Sequence, residues 1–258
     1  LVSIDDLGGI CVSPFTGHEQ VYFSFKAKGD HRMASGFNGK ILHVNLTSGQ
    51  VRVEEPAEPF YRTYMGGGAL GMYYMLRKCP PHVDPLGPDN VLVLGLSVVT
   101  GAPVPGQSRC TAMAKSPLTN TIGDSQAGGF WAAELKRAGY DAIVITGRSA
   151  RPVYLWIHDG QVELREASHL WGKVTGEVEA TLKGELGDAK VQVLQTGPAG
   201  EKGVRFAALV NMCSRAHGRT GMGAVMGAKR LKAVVVRGRG KISVADPARL
   251  TELAKHGT

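Results

Sequence analysis

Two glycine-rich segments of the sequence have the composition of anion-binding turns. The first, residues 124–129, follows a predicted strand that begins after Arg109, and the second, residues 214–223, contains two arginines and three glycines. Arginine presents forked donors that match phosphate oxygens, and glycine lets the backbone approach closely. Each segment precedes a predicted helix, whose first N–H groups favour an anion. We therefore expect phosphate groups to bind at both turns.

The residues alone leave two interpretations of these turns open. Glycine can simply permit tight connections and close helix packing, without any ligand. Alternatively, two turns at equivalent positions of a repeated unit can hold one ligand between them, because pseudo-symmetric halves commonly clasp a shared ligand.

Other catalytic signatures are absent from the sequence. It has no G-x-x-x-x-G-K-[ST] loop, H-E-x-x-H or G-x-S-x-G motif. Residues 66–71 match G-x-G-x-x-G but follow a helix-like segment rather than a strand, so we do not assign a nucleotide there. Glu134 and Asp141 could act as acid and base, but their predicted positions favour solvation or capping. We identify no catalytic residue.

Charge and cysteine spacing limit the possible partners and cofactors. The net charge of +8 favours an anionic partner, but no run of Lys and Arg reaches five, so we do not expect nucleic acid. No stretch of eighteen apolar residues occurs, and the first thirty residues carry Asp5, Asp6 and Glu19 where a signal peptide would be basic and then apolar, so we expect a cytoplasmic protein without a membrane partner. The cysteines lie too far apart for a zinc ribbon or an iron–sulfur loop: Cys11, Cys79, Cys110 and Cys213.

Hydrophobic patterning predicts two hairpins and several helices. Residues 40–55 alternate around Thr47-Ser48-Gly49, and residues 151–165 alternate around Asp159-Gly160. Buried strands are predicted at 91–94, 110–114 and 142–146. Helices are predicted at 59–65, 69–77, 129–138, 177–186 and 247–255.

The predicted elements form one unit that is used twice. The order that runs from VLVL at 91–94 to DAIVITG at 141–147 recurs from VQVL at 191–194 to KAVVVRG at 232–238. Each pass is preceded by a hairpin and a helix, and hairpins exclude an all-parallel sheet. The sequence therefore predicts an α+β fold with two similar, largely antiparallel sheets packed together.

Four segments resemble the N-terminal domain of the aldehyde ferredoxin oxidoreductase family. They are FNGKILHVNLTSG, SRCTAMAKSPLT, GGFWAAELKRAGYDAIVITG and SRAHGRTGMGAVMGAKRLKAV, and the likeness runs from about residue 36 to residue 244. The resemblance implies two intertwined repeats that form a saddle for a tungsten cofactor held by two pyranopterins. Weak periodicity before Met33 predicts a leader at 1–32 that is non-native or disordered and lies outside the fold. The resemblance implies a pterin-binding domain at 33–244 and the truncated start of a following helical domain at 245–258.

The resemblance assigns site residues within the two turns. Arg109 corresponds to an arginine that contacts a pterin phosphate, and the remaining cofactor contacts correspond to Gln126, Gly128, Arg215, Ala216, Gly218 and Arg219. Backbone carbonyls of Gln126 and Ala216 correspond to ligands of a magnesium ion that bridges the phosphates. Relatives often have Asn in place of Gln126, and they commonly have an arginine within 67–69, so we leave residues 66–71 out of the site.

The function implied by the resemblance is incomplete in this sequence. Family members oxidise aldehydes to carboxylic acids and pass electrons through a four-iron four-sulfur cluster to ferredoxin, but the cluster cysteines belong to later domains. We expect a cofactor-binding domain that needs those domains in cis or as a separate subunit. A stand-alone pterin-binding module and a non-functional fragment are the alternatives, and the residues do not distinguish tungsten from molybdenum.

Overall fold

Each half of the chain begins with a hairpin, and the remaining elements follow in the same order. A computed structural model describes residues 33–158 and 160–256, so the predicted leader at 1–32 lies outside the described residues. The first half contains β1 Ile41–Asn45, β2 Gln50–Glu54, α1 Glu58–Tyr64, α2 Gly67–Lys78, β3 Leu92–Leu96, β4 Cys110–Lys115, β5 Ile122–Ala127, α3 Phe130–Arg137 and β6 Ala142–Thr146.

The second half repeats this order of strands, with two strands shortened to three residues and an additional short helix after its third strand. It contains β7 Val153–His158, β8 Gln161–Glu166, α4 Thr175–Leu186, β9 Gln192–Thr196, α5 Pro198–Glu201, β10 Leu209–Asn211, β11 Arg215–His217, α6 Met222–Ala228 and β12 Leu231–Arg237. A last helix, α7 Pro247–Lys255, follows and buries none of its residues. None of the helices in 33–158 and 160–256 has the length and apolar character that a membrane span requires.

The two six-stranded sheets have the same topology. Their strand orders are β2-β1-β6-β3-β4-β5 and β8-β7-β12-β9-β10-β11, which match element by element. In each sheet the hairpin pairs in parallel with the last strand of its half, while the other neighbours are antiparallel. The predicted α+β fold with two similar, largely antiparallel repeats is confirmed, with one parallel pair in each sheet.

Helices exchanged between the halves intertwine the repeats. Helix α3 of the first half packs on β9 and β12, and α6 of the second half packs on β3 and β4 as well as on β9 and β12 of its own half. Trp131 on α3 is buried, and its indole N–H donates to Val234 O at 2.9 Å. The largest hydrophobic cluster therefore draws residues from both halves, and neither half could bury its sheet alone.

Two carboxylates considered as possible acid–base groups are instead buried in structural ion pairs. Asp141 accepts from Lys136 Nζ at 2.6 Å and from the backbone N–H of Gly39 at 2.8 Å. Glu134 accepts from Arg237 Nη1 at 2.6 Å and from Gly238 N at 3.0 Å. The predicted solvated or capping role is wrong for both, because the sheet edges and α3 enclose them.

We predict that Gly227→Ala destabilises the chain. An added Cβ would collide with the Gly200 carbonyl where α5 packs on α6, and overpacking of this kind costs about 1–3 kcal/mol. Urea unfolding should show a lower midpoint. The matched control is Gly184→Ala on α4, where a Cβ meets no atom within 4 Å, so that change should stabilise the chain by about 0.5–1 kcal/mol. An unchanged midpoint for Gly227→Ala would contradict the packing.

Candidate cofactor-binding cleft

A polar cleft lies where the outermost strands of the two sheets meet. Strands β5 and β11 are the equivalent edge strands of their sheets, and they contact each other across the junction of the halves. The cleft has a volume of about 510 Å³, and it is lined by Asp124, Ser125, Gln126, Ala216, Gly218 and Arg219. Another cavity, of about 380 Å³ at the end of α2, has a more apolar lining.

Strand register makes the predicted site residues equivalent in pairs. Gln126 lies opposite Thr111 on β4, and Ala216 lies opposite Val210 on β10, at matching positions of the two sheets. Two residues further along each strand come Gly128 and Gly218. The magnesium ligands and the two turn glycines inferred from the resemblance are therefore related by the pseudo-symmetry of the fold.

The hydrogen-bond ladder leaves the Gln126 carbonyl free to face outward. Ser116 N donates to Thr121 O at 2.8 Å at the start of the β4–β5 ladder. Along an antiparallel ladder, hydrogen-bonded and non-hydrogen-bonded residue pairs alternate. Counting from this bond places Gln126 in a non-hydrogen-bonded pair, so its N–H and C=O point away from β4. Ala216, opposite Val210, occupies the equivalent position of the β10–β11 pair, so the same outward direction is expected for its carbonyl.

Direct hydrogen bonds join the two edge strands beneath these carbonyls. His217 is fully buried, and its Nδ1–H donates to Ser125 O at 2.8 Å. The backbone N–H of Arg219 donates to Ser125 Oγ at 3.1 Å. Burial lowers the pKa of His217, although its bond to Ser125 acts in the opposite direction. The imidazole is therefore neutral near pH 7, with its one proton on Nδ1.

Glycines 128 and 218 both have open space where a side chain would lie, and Gly218 lines the cleft. A Cβ at either position would meet no atom within 4 Å, and neither backbone is in the left-handed region. Backbone strain therefore does not explain why these positions are glycine. The open space suits a group that approaches the backbone closely.

The predicted arginines are exposed at the cleft or beside it. Arg219 lines the cleft, whereas Arg215 is exposed on β11 without lining it. Arg109 is also exposed and immediately precedes Cys110, whose ladder partner is Ala127. In this register Arg109 lies opposite Gly128, just beyond the end of β5. Within the described ranges no carboxylate forms an ion pair with these three guanidinium groups, so their charges are available to an anion.

The interpretation of residues 124–129 as a turn that exposes a helix end is wrong. Residues up to Ala127 form strand β5, in which Asp124 and Gln126 are exposed while Ser125 is buried. The first N–H of α3 is not free, because Phe130 N donates to Met212 Sδ at 3.2 Å. The strand edges and the arginines, rather than the end of α3, are therefore the candidate anion-binding groups.

Sequence reasoning missed two residues that line the cleft and the buried His217 that bonds to one of them. Asp124 and Ser125 lie on β5, whose residues alternate between exposed and buried, in a segment that the sequence predicts as a turn. Burial raises the pKa of the Asp124 carboxyl. His217 lay inside the predicted second turn, but only the approach of β5 explains why an imidazole is buried there.

Comparison with known proteins identifies the family. A family model described as "Aldehyde ferredoxin oxidoreductase, N-terminal domain" matches residues 41–238. The chain belongs to this family. It is 47% identical over 220 residues to the tungsten-containing aldehyde ferredoxin oxidoreductase of Pyrococcus abyssi, a match that covers 85% of this chain and 36% of that protein.

More distant family relationships extend to other oxidoreductases. The chain is 36% identical over 221 residues to the aliphatic sulfonate oxidoreductase, WOR-like subunit, of Pyrococcus furiosus, a match that covers 80% of this chain and 35% of that protein. The solved active site complex BamBC of benzoyl coenzyme A reductase with 1,5-dienoyl-CoA superposes with a TM-score of 0.83 at 38% identity, covering 86% of this chain and 34% of that one. The chain thus spans about a third of the length of these proteins.

We predict that Gly128→Val and Gly218→Val block phosphate binding in the cleft without unfolding the chain. Each side chain would occupy open space, so stability should change by less than about 0.5 kcal/mol. Titration calorimetry with pyrophosphate should show at least about tenfold weaker binding, or about 1.4 kcal/mol. Gly184→Val on α4 is the control and should bind as the unchanged chain does. Equal affinity in all four proteins would contradict this location of the anion site.

Proposed function

We propose that this chain is the cofactor-binding domain of a tungstopterin oxidoreductase that oxidises aldehydes to carboxylic acids, with ferredoxin as electron acceptor. The observation that carries the proposal is the equivalence of Gln126 with Ala216 and of Gly128 with Gly218 on two matching edge strands that contact each other. A cofactor with two similar pterin halves matches a cleft with two similar walls.

The residues present fit a bis-pyranopterin group. Outward-facing carbonyls at Gln126 and Ala216 are hard oxygen donors suited to magnesium, which is typically shared with phosphate groups. Arg109, Arg215 and Arg219 would neutralise the phosphates, and the glycines would let the backbone approach them. Tungsten, or molybdenum in its place, would supply the redox chemistry when bound. The role of this chain is to bind, orient and charge-neutralise the cofactor.

We further propose that the remaining part of the enzyme lies in other domains, in cis or on a separate subunit. The matched region covers only about a third of its relatives' length. Several large apolar side chains are exposed and could be covered by such domains: Met65, Leu76, Leu118, Phe130 and Phe206. We place the domain boundary near residue 244, because α7 buries none of its residues. The four-iron four-sulfur cluster would be bound by the other domains.

The aldehyde substrate and ferredoxin would therefore meet the complete enzyme rather than this domain alone. Positioning of the substrate and transfer of electrons to ferredoxin are assigned to the other domains. Cytoplasmic location is part of the same proposal, since a low-potential electron acceptor and reduced cysteines both suit a reducing compartment.

We predict that tungsten or molybdenum co-purifies with the chain and is lost in the Arg109→Ala, Arg219→Ala double variant. Each charge-assisted hydrogen bond to phosphate contributes about 1.5–3 kcal/mol, so retention should fall by about two orders of magnitude. Plasma mass spectrometry of the natively purified chain measures the metal. Arg52→Ala, on β2 at the opposite edge of the first sheet, is the control and should retain the metal.

Expression with and without the remaining domains separates the alternatives. Metal in the isolated chain would show that this domain holds the cofactor alone, whereas metal only after co-expression would indicate one part of a split enzyme. Aldehyde-dependent dye reduction would then distinguish an oxidoreductase from a binding module. Metal in neither sample would refute the proposed cofactor.

A further inference from the structure

The two walls of the cleft are not joined by a backbone ladder. Strands β5 and β11 belong to different sheets, and in the described part of the chain no strand pairing connects them. The distance between the Gln126 and Ala216 carbonyls is therefore not fixed by regular secondary structure. It depends on individual hydrogen bonds that cross the junction.

His217 makes the crossing bond that lies nearest to both carbonyls. It directly follows Ala216, and its Nδ1–H donates at 2.8 Å to the carbonyl of Ser125, which directly precedes Gln126. Other crossing bonds lie further along the strands: Asn211 Nδ2 donates to Gly128 O at 3.1 Å, and Ser116 Oγ donates to Thr220 O at 2.8 Å. The imidazole thus joins the neighbours of the two predicted cation ligands.

Pseudo-symmetry gives this bond no counterpart. The residue equivalent to His217 in the first half is Ala127, which has no polar side chain. The other ring nitrogen of His217 is buried and, among the residues that the structure describes, has no hydrogen-bond partner. An unpaired buried nitrogen is costly, so packing alone would favour an apolar residue here. The hydrogen bond to the Ser125 carbonyl requires a donor at the position of Nδ1, which an apolar side chain lacks.

We propose that His217 is a positioning residue that sets the separation of the Gln126 and Ala216 carbonyls, so that they can share one divalent cation with the phosphates of the cofactor. This inference rests on the proposed function for the identity of the ligand. His217 does not contact the ligand in this account; it acts through the backbone of Ser125.

Two substitutions separate the hydrogen bond from the volume of the side chain. His217→Asn retains a donor at the position of Nδ1, whereas His217→Leu fills the site without any donor. We expect tungsten and magnesium content, measured by plasma mass spectrometry, to stay within about twofold of the unchanged chain for His217→Asn and to fall about tenfold for His217→Leu, in the range seen when supporting partners of metal ligands are removed. Equal contents in the two variants would overturn the proposal.

Hydrogen exchange of the cofactor-free chain gives an independent result. His217→Leu should accelerate exchange of the Arg219 amide, which donates to Ser125 Oγ, by about tenfold, because the junction opens locally when its bond is lost. His217→Asn should not accelerate it, and amides of β3 and β12 should be unaffected in both. Unchanged Arg219 exchange in His217→Leu would overturn the positioning role even if the unchanged chain holds no tungsten, in which case the proposed function fails separately.

A third variant keeps the test decisive if His217→Leu does not fold. His217→Gln is polar and places its amide nitrogen near the position of Nε2 instead of Nδ1. It should lose metal and exchange protection as His217→Leu would. Metal content and exchange like those of the unchanged chain would refute the assigned bond.

Discussion

The outer backbone groups of β5 and β11 have no partner strand, and the cleft exists because these two unpaired edges face each other. An edge strand normally exposes a row of N–H and C=O groups that invites pairing with another chain. Here the edges are held apart, and single hydrogen bonds from His217 and Arg219 to Ser125 connect them. The outward-facing carbonyls of Gln126 and Ala216 are therefore available to a cation, including one that also binds an anionic group.

Intertwining of the halves keeps the two edges in position. Helix α3 belongs to the first half but packs on the second sheet, and α6 of the second half contacts both sheets. The bond from Trp131 to Val234 O and the pairing of Glu134 with Arg237 cross the same boundary. Displacement of one sheet relative to the other would disturb the shared core, so the core holds the sheets in place while the bonds that cross the junction set the local separation of the two edges.

Buried ion pairs stabilise the fold, whereas the exposed arginines at the cleft are available to a ligand. Asp141 and Lys232 occupy equivalent strand starts with opposite charge, and each is paired inside the core. Arg109, Arg215 and Arg219 are instead exposed around the cleft. Desolvating an unpaired charge is expensive, and these three arginines, which form no ion pair with a carboxylate among the described residues, lie where solvent or an anionic ligand can reach them.

The sequence by itself determined the repeated order of elements, the two hairpins, and the resemblance that points to Gln126, Gly128, Ala216 and Gly218. These features follow from local alternation, turn residues and short motifs, which act over a few residues. The sequence did not reveal that residues 122–127 form an edge strand, because glycine at both ends of a polar stretch also suits a turn. Only the tertiary structure decided that α3 and α6 are exchanged between halves and that His217 contacts Ser125, because these contacts join residues about ninety to one hundred positions apart whose approach depends on packing of the whole core.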